Sequence, residues 1–223
     1  FMKLVHPEWK MQIDCKENQA VLWIMESPRI FRTYLEAFLC QMQTREGRFV
    51  LSEDDKELEL YKAAELILNP FEIDVNDKKI LNKIYSELKE FAFGESYYLK
   101  TREMFGLLTS YFMELEKEMC IPLTCAEPDL VQVLKALDVK TEESECDMVE
   151  MIGQYLHLAA KLMNKKVIVF VNLSAYLESW EIEKLLKEAF YLKLYVILME
   201  RQEIDLAISK KCYIIDRDYC EIY

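Results

Sequence analysis

Two apolar runs, Val167–Val171 and Tyr195–Glu200, stand on either side of an amphipathic stretch, Ser179–Leu192. Runs of this kind suit strands covered on both faces, and such strands belong to parallel sheets joined by crossover helices. They are too short to cross a bilayer as helices, which takes about 20 apolar residues. The pattern predicts a strand–helix–strand unit, with Ser179 opening the helix and Glu183 near a capping-box position, and therefore an α/β fold.

Glycine usage narrows what such a fold can do. The chain has four glycines, Gly47, Gly94, Gly106 and Gly153, each isolated. A glycine-rich phosphate cradle cannot be built from them, which excludes a Walker A loop and a dinucleotide fingerprint. After Val167–Val171, at the place where nucleotide hydrolases carry a metal-binding carboxylate, stands the neutral Asn172. The strand is read as buried, with a polar cap, and the chain as lacking a nucleotide-hydrolysing site.

Towards the N-terminus, Lys3–His6, Met11–Asp14 and Ala20–Met25 read as strands. Ser27-Pro28 opens a helix with Ile30, Tyr34, Phe38 and Met42 on one face, ending near Arg45-Glu46-Gly47. Phe49–Leu51 and Glu65–Leu68 are further strands, separated by an acidic turn at Glu53-Asp54-Asp55. From Asn76 the period becomes helical for roughly ninety residues. Helices are expected after Asn76 or Asp77, over Tyr97–Met119, over Asp129–Leu137 and over Glu145–Met163. Cys212–Ile215 and Tyr219–Tyr223 close the sheet. The expected architecture is α/β: a head of residues 1–75 and 165–223 with a mixed sheet flanked by helices, and an inserted α-helical domain of residues 76–164.

The chain carries 40 Asp and Glu against 28 Lys and Arg, a net charge of −12. That balance disfavours an open nucleic-acid-binding surface, which needs clustered Lys and Arg. Basic residues nevertheless recur in and beside the insertion: Lys78, Lys79 and Lys83; Lys100 with Arg102; Lys135 with Lys140; Lys161 with Lys165 and Lys166. Acidic residues gather at Glu114, Glu116 and Glu118 and at Glu142-Glu143-Ser144-Glu145; they read as solvated helix ends or as oxygen ligands for a hard cation. His6 and His157 are isolated, and Cys120 and Cys125 lack the second pair a zinc site needs. Seven cysteines without framework spacing fit reduced thiols in a cytoplasm. The first residues show no basic-then-apolar export signature, and Phe1 reads as an addition before a natural start at Met2.

Four segments carry a resemblance. Asn164-Lys-Lys-Val-Ile-Val-Phe-Val-Asn-Leu-Ser-Ala-Tyr-Leu-Glu-Ser-Trp-Glu-Ile and Leu194-Tyr-Val-Ile-Leu-Met-Glu-Arg-Gln-Glu are similar to the strand-to-helix segment and following strand of the ring-forming spacer-acquisition proteins of type II-A CRISPR systems. Phe71-Glu-Ile-Asp-Val-Asn and Leu134-Lys-Ala-Leu-Asp-Val-Lys-Thr-Glu resemble that family's turn after its middle strand and the loop after its short helix. Segment order and length match the family's short form. The resemblance implies a head shaped like a degenerate P-loop hydrolase, a helical leg, and no enzymatic activity. It implies a homotetrameric ring that holds double-stranded DNA, threaded from a free end, in its central hole during spacer acquisition. The implied partners are the adaptation nucleases and the type II effector nuclease in a bacterial cytoplasm, with no nucleotide cofactor and no membrane.

By neighbourhood, the resemblance makes Lys78, Lys79, Lys83, Lys135, Lys140, Lys165 and Lys166 the candidates for the DNA-facing wall. It also implies calcium in the leg, where relatives carry a dense acidic stretch. Here that stretch keeps only Glu127 and Asp129, and Glu118 and Glu142 complete the candidate ligands. A second reading is a protein-interaction scaffold for the adaptation enzymes that touches DNA only incidentally.

Overall fold

The computed structural model describes residues 1–119, 121–142 and 147–223. Cys120, Cys146 and the Glu143–Glu145 part of the acidic run lie outside the described residues. In chain order the elements are β1 (Met2–Val5), β2 (Ile13–Cys15), β3 (Ala20–Met25), α1 (Pro28–Thr44), β4 (Val50–Glu53), β5 (Lys56–Leu58), the single turn α2 (Leu60–Ala63) and β6 (Ala64–Ile67). There follow α3 (Lys78–Phe93), α4 (Tyr98–Met119), α5 (Leu130–Ala136), α6 (Met148–Lys161), β7 (Val167–Val171), α7 (Ser179–Tyr191), β8 (Tyr195–Glu200), β9 (Lys210–Ile215) and β10 (Glu221–Ile222).

The main sheet has the order β10-β9-β3-β8-β7-β6, with β9, β3, β8, β7 and β6 mutually parallel and β10 antiparallel at one edge. A smaller antiparallel sheet runs β2-β1-β4-β5. The continuous apolar runs are explained by two cores, one on each face of the main sheet. Val21, Trp23 and Met25, Val167, Val169 and Val171, and Ile197 and Met199 point into a core shared with α1 and the smaller sheet. The alternate residues, Leu22 and Ile24, Ile168 and Phe170, and Val196 and Leu198, point into a core covered by α6 and α7. With side chains alternating between two buried faces, no position on these strands has solvent to face, so none is polar before Asn172 or Glu200. Among the described residues no helix is long and apolar enough to cross a membrane.

Local rules set the helix ends. Pro28 occupies the first turn of α1, and Arg45 ends it in the left-handed region at φ 67°. The acidic turn between β4 and β5 likewise places Asp54 and Asp55 at φ 47° and 62°, conformations that Asp tolerates better than most residues. α7 is capped one residue earlier than the sequence pattern indicates: the Glu178 N–H donates to Glu181 Oε2 at 2.8 Å. Glu183 instead accepts from Ala207 N at 2.6 Å, tying α7 to the loop before β9.

The chain divides into two units, residues 1–75 with 144–223 and residues 76–143. The expected boundary after residue 164 therefore shifts, because α6 belongs to the first unit. Its inward residues Val149, Ile152, Leu156 and Ala159 share a core with the main sheet and α7. Gly153 of α6 allows close packing: an added Cβ would sit 2.6 Å from the Glu188 carboxylate on α7, which contacts His157 at 3.0 Å. The second unit is α3, α4 and α5, with Ile80, Tyr85, Thr101, Phe105 and Leu130 buried. Asp77 caps α3 through Lys79 N at 2.7 Å, and Thr101 Oγ1 donates to Ala92 O at 2.8 Å.

Candidate nucleic-acid interface

The helical unit brings two of its lysine groups onto adjoining segments. Asn76, just before α3, and Thr141, after α5, clasp each other. Thr141 N donates to Asn76 Oδ1 at 2.9 Å, and Asn76 Nδ2 donates to Thr141 O at 3.3 Å. Tyr85 Oη adds a bond to Val139 O at 2.8 Å. The first turn of α3, with Lys78 and Lys79, is thereby joined to the segment carrying Lys140, while Lys83 lies one turn further along α3 and Lys135 near the end of α5. Lys78, Lys79, Lys83 and Lys135 are exposed. Lys140 Nζ lies 3.8 Å from Asp138 Oδ2, with 45% and 86% of the two side chains exposed, a pair worth little in water.

Lys165 and Lys166 are placed otherwise, in the α/β unit. Lys165 Nζ donates to Tyr61 O at 2.8 Å and Ala64 O at 2.7 Å and pairs with Glu65 Oε2 at 3.0 Å, with its side chain 11% exposed. A buried ammonium with three acceptors has no donor direction left for a phosphate. Lys165 is a structural residue that fastens α2 and β6 to the segment before β7. Lys166 pairs with Glu53 of β4. The sequence alone does not separate these two from the other lysines, since a dibasic pair before a strand looks the same whether its ammonium groups point at solvent or at carbonyls.

The candidate calcium ligands are not assembled. Asp129 is held by Lys89 Nζ at 3.2 Å, and that ammonium is the main reason its carboxyl lies below the usual range. Glu118, Glu127 and Glu142 are exposed, and among the described residues no three His, Cys, Asp or Glu side chains converge. Calcium takes six to eight oxygens around one point, and among the described residues these four carboxylates do not converge on one. Glu116, in the same cluster, accepts from Leu123 N at 2.8 Å and so secures the chain leaving α4.

A crevice of about 790 Å³ opens at the carboxyl ends of β3, β7 and β8, where parallel α/β sheets usually bind ligands. Its lining includes Glu26, Asn172, Ser174, Glu200, Arg201 and Arg217. The turn from β3 into α1 is Glu26-Ser27-Pro28, without glycine. The Glu26 N–H donates to Ile215 O at 3.1 Å rather than towards an anion. Asn172 sits in the left-handed region at φ 50°, and its N–H donates to Met199 O at 2.9 Å. Glu200 is 1% exposed and accepts from Ser174 N at 3.1 Å and Ser174 Oγ at 2.7 Å. Burial pushes its carboxyl above the ordinary value, against the lowering effect of the Ser174 and Leu173 donors. This buried acid, invisible as such in the sequence, is legible only as the polar residue that ends the Tyr195–Glu200 run.

Together these features define a class: a parallel-sheet α/β protein whose strand-end crevice lacks a phosphate loop, with a helical unit inserted between β6 and β7. The family model described as CRISPR-associated protein (Cas_Csn2) matches residues 41–219. The CRISPR-associated protein Csn2 of Streptococcus agalactiae is 32% identical over 173 residues, 74% of this chain and 75% of that relative. The chain belongs to the CRISPR-associated Csn2 family. The crystal structure of Stu0660 of Streptococcus thermophilus has the same fold, with a TM-score of 0.55 at 10% identity over the whole of this chain and 76% of that one. A weaker likeness, with a TM-score of 0.47 at 10% identity, links 92% of the chain to 80% of CbiO1 of Clostridium perfringens, part of an ABC transporter complex.

Proposed function

We propose that the protein is a non-enzymatic CRISPR adaptation protein that forms a homotetrameric ring and holds double-stranded DNA ends in its hole, independently of sequence. Family membership supports the CRISPR context. The observation that carries the DNA reading is the Asn76–Thr141 clasp, which sets Lys78 and Lys79 beside the segment bearing Lys140. Lys83 lies one turn further along α3 and Lys135 near the end of α5, whereas the Lys165 ammonium is committed to Tyr61 O and Ala64 O. Lysine contacts to phosphate position a duplex without reading its bases, which suits capture of any DNA end. The strand-end crevice supports the non-enzymatic part of the reading, since neither a glycine loop nor a carboxylate at residue 172 is present. Adaptation nucleases and the effector nuclease, in a bacterial cytoplasm, are the partners this reading expects.

The test is retention in a gel-shift series at fixed salt. Linear duplex is expected to bind and covalently closed circular duplex of the same sequence to stay free, because a ring loads only from an end. Equal retention of the two forms refutes the ring. No retention of either form favours the scaffold reading, which the many exposed apolar side chains of the helical unit also fit.

A further inference from the structure

α7 buries Ile182, Leu185, Leu186 and Ala189 against the main sheet. On the opposite side Trp180, Lys184, Lys187 and Tyr191 follow one another at spacings of four, three and four. At 3.6 residues per turn these four fall within about 60° of arc, a straight stripe about 17 Å long down the outside of the helix. Trp180 is 67% exposed and Tyr191 84%, whereas the outer face of a surface helix ordinarily carries charged and polar residues. Tyr191 also shares the lining of a cavity of about 150 Å³ with Phe190, Leu194 and Tyr195.

The charges on α7 say what kind of partner fits. Its three carboxylates are turned to internal bonds: Glu181 Oε2 accepts from Glu178 N at 2.8 Å, Glu183 Oε1 accepts from Ala207 N at 2.6 Å, and Glu188 Oε1 meets His157 Nε2 at 3.0 Å. Lys184 and Lys187 are exposed and, among the described residues, make no ion pair or side-chain hydrogen bond. Two open ammoniums one turn apart therefore stand between two aromatic anchors. A second helix lying along the stripe meets both ammoniums with carboxylates one turn apart on its own surface. Its apolar residues on either side of them cover the two rings, and Trp and Tyr are the side chains that dominate such contacts. Double-stranded DNA fits less well. It brings one charge per about 1.7 Å against a chain of net charge −12, and its paired bases leave Trp180 and Tyr191 no free ring to stack on.

We propose that the outer face of α7 is a docking site for an acidic amphipathic helix of a partner protein. The inference does not rest on the ring or on DNA in its hole, and its failure leaves both standing. The probes are a synthetic helical peptide, free of Trp, with leucines at both ends and two glutamates one turn apart between them, and the same peptide with lysines for the glutamates. Of the three tryptophans of the full chain, Trp9 and Trp23 are buried, so acrylamide quenching of the emission reads Trp180. The acidic peptide is expected to shield Trp180 saturably, and the lysine peptide to leave it open. Trp180→Phe should remove the quenchable emission and so confirm the reporter. Lys184→Glu with Lys187→Glu should weaken the acidic peptide about tenfold and let the lysine peptide shield Trp180, a gain that a folding defect would not produce. Equal shielding by the two peptides, or shielding by neither at millimolar concentration, overturns the proposal. Shielding by a single-stranded oligonucleotide but not by the acidic peptide also overturns it and assigns the face to nucleic acid. Shielding that rises with the protein's own concentration, without peptide, overturns it in favour of a second copy.

Discussion

Replacing Lys165 by Met separates a structural lysine from a DNA-contacting one. Met keeps most of the packing of the lysine stem but removes the ammonium. Tyr61 O and Ala64 O then lose donors at 2.8 and 2.7 Å, and Glu65 loses its counter-charge at 3.0 Å. Glu65 retains the Tyr155 hydroxyl, at 2.9 Å. Each charge-assisted bond contributes about 1.5–3 kcal/mol, and removing one partner of a buried pair costs about 3–5 kcal/mol. The pair is nearly but not fully buried, with 11% and 24% of the two side chains exposed, so about 3 kcal/mol is the expected loss. For a domain of 150–250 residues that lowers the Tm by roughly 6–12 °C. The assay is urea and thermal unfolding followed by circular dichroism, beside gel shifts at a temperature where the variant stays folded. DNA affinity per folded molecule should not change. Lys165→Met with Glu65→Gln should recover part of the stability, because the orphaned charge is gone. A Lys165→Met protein that keeps wild-type stability while losing DNA retention would refute the structural assignment.

Charge reversal at Lys78, Lys79 and Lys140 should weaken binding of all duplex sequences alike. It should also flatten the dependence of log affinity on log salt by about 0.9 for each phosphate left without its lysine; unchanged slopes would remove the clasp from the interface. Glu200→Gln keeps an acceptor for Ser174 without the buried charge. The raised carboxyl of wild-type Glu200 lets the unfolded chain ionise first, so its stability contribution is full below the unfolded value of 4.5 and is lost as pH rises through the folded value. The Gln variant should therefore gain on wild type in urea midpoints as pH rises above 4.5, and parallel profiles would contradict this. Replacing residues 76–143 by a Gly/Ser linker should leave a cooperatively unfolding α/β unit, whereas replacing 76–164 should not, because Ile152, Leu156 and Ala159 are fully buried in it; calorimetry decides.

Much of the α/β unit is legible in the chain. β7 and β8 announce themselves because both faces are covered, and the start of α1 because Ser27-Pro28 fixes a helix entry. The antiparallel hairpin partner β5 and the turn α2 are too short to show a period. α6 shows the limit of amphipathic reading: Val149, Ile152, Leu156 and Ala159 reveal that one face is covered, but not whether α7 or α4 covers it. The same limit applies to charge. Lys165 looks like any other lysine in sequence, and it is the carbonyls of Tyr61 and Ala64 that make it structural. Asp129 reads as a free carboxylate until Lys89, 40 residues away, is seen to hold it.

The net charge of −12 bears on how such a protein could hold DNA at all. Residues 76–143 themselves contain nine Lys and Arg against thirteen Asp and Glu, so the inserted unit is acidic too. No unit-wide field draws in a duplex; only a local patch within a Debye length of about 8–10 Å can act on a phosphate. The clasp supplies such a patch, but five lysines in an acidic surround make a weak site. In the proposed ring, four copies on one duplex would change the arithmetic, since after the first contact the others bind at high effective concentration. Affinity should then depend more on assembly than on any one lysine. A dissociated form of the protein should lose at least about tenfold in duplex affinity although its lysines are untouched. Fluorescence anisotropy against a short linear duplex at two salt concentrations measures this. A dissociated protein with wild-type affinity at both would show that one copy suffices, and the multivalent account would fail.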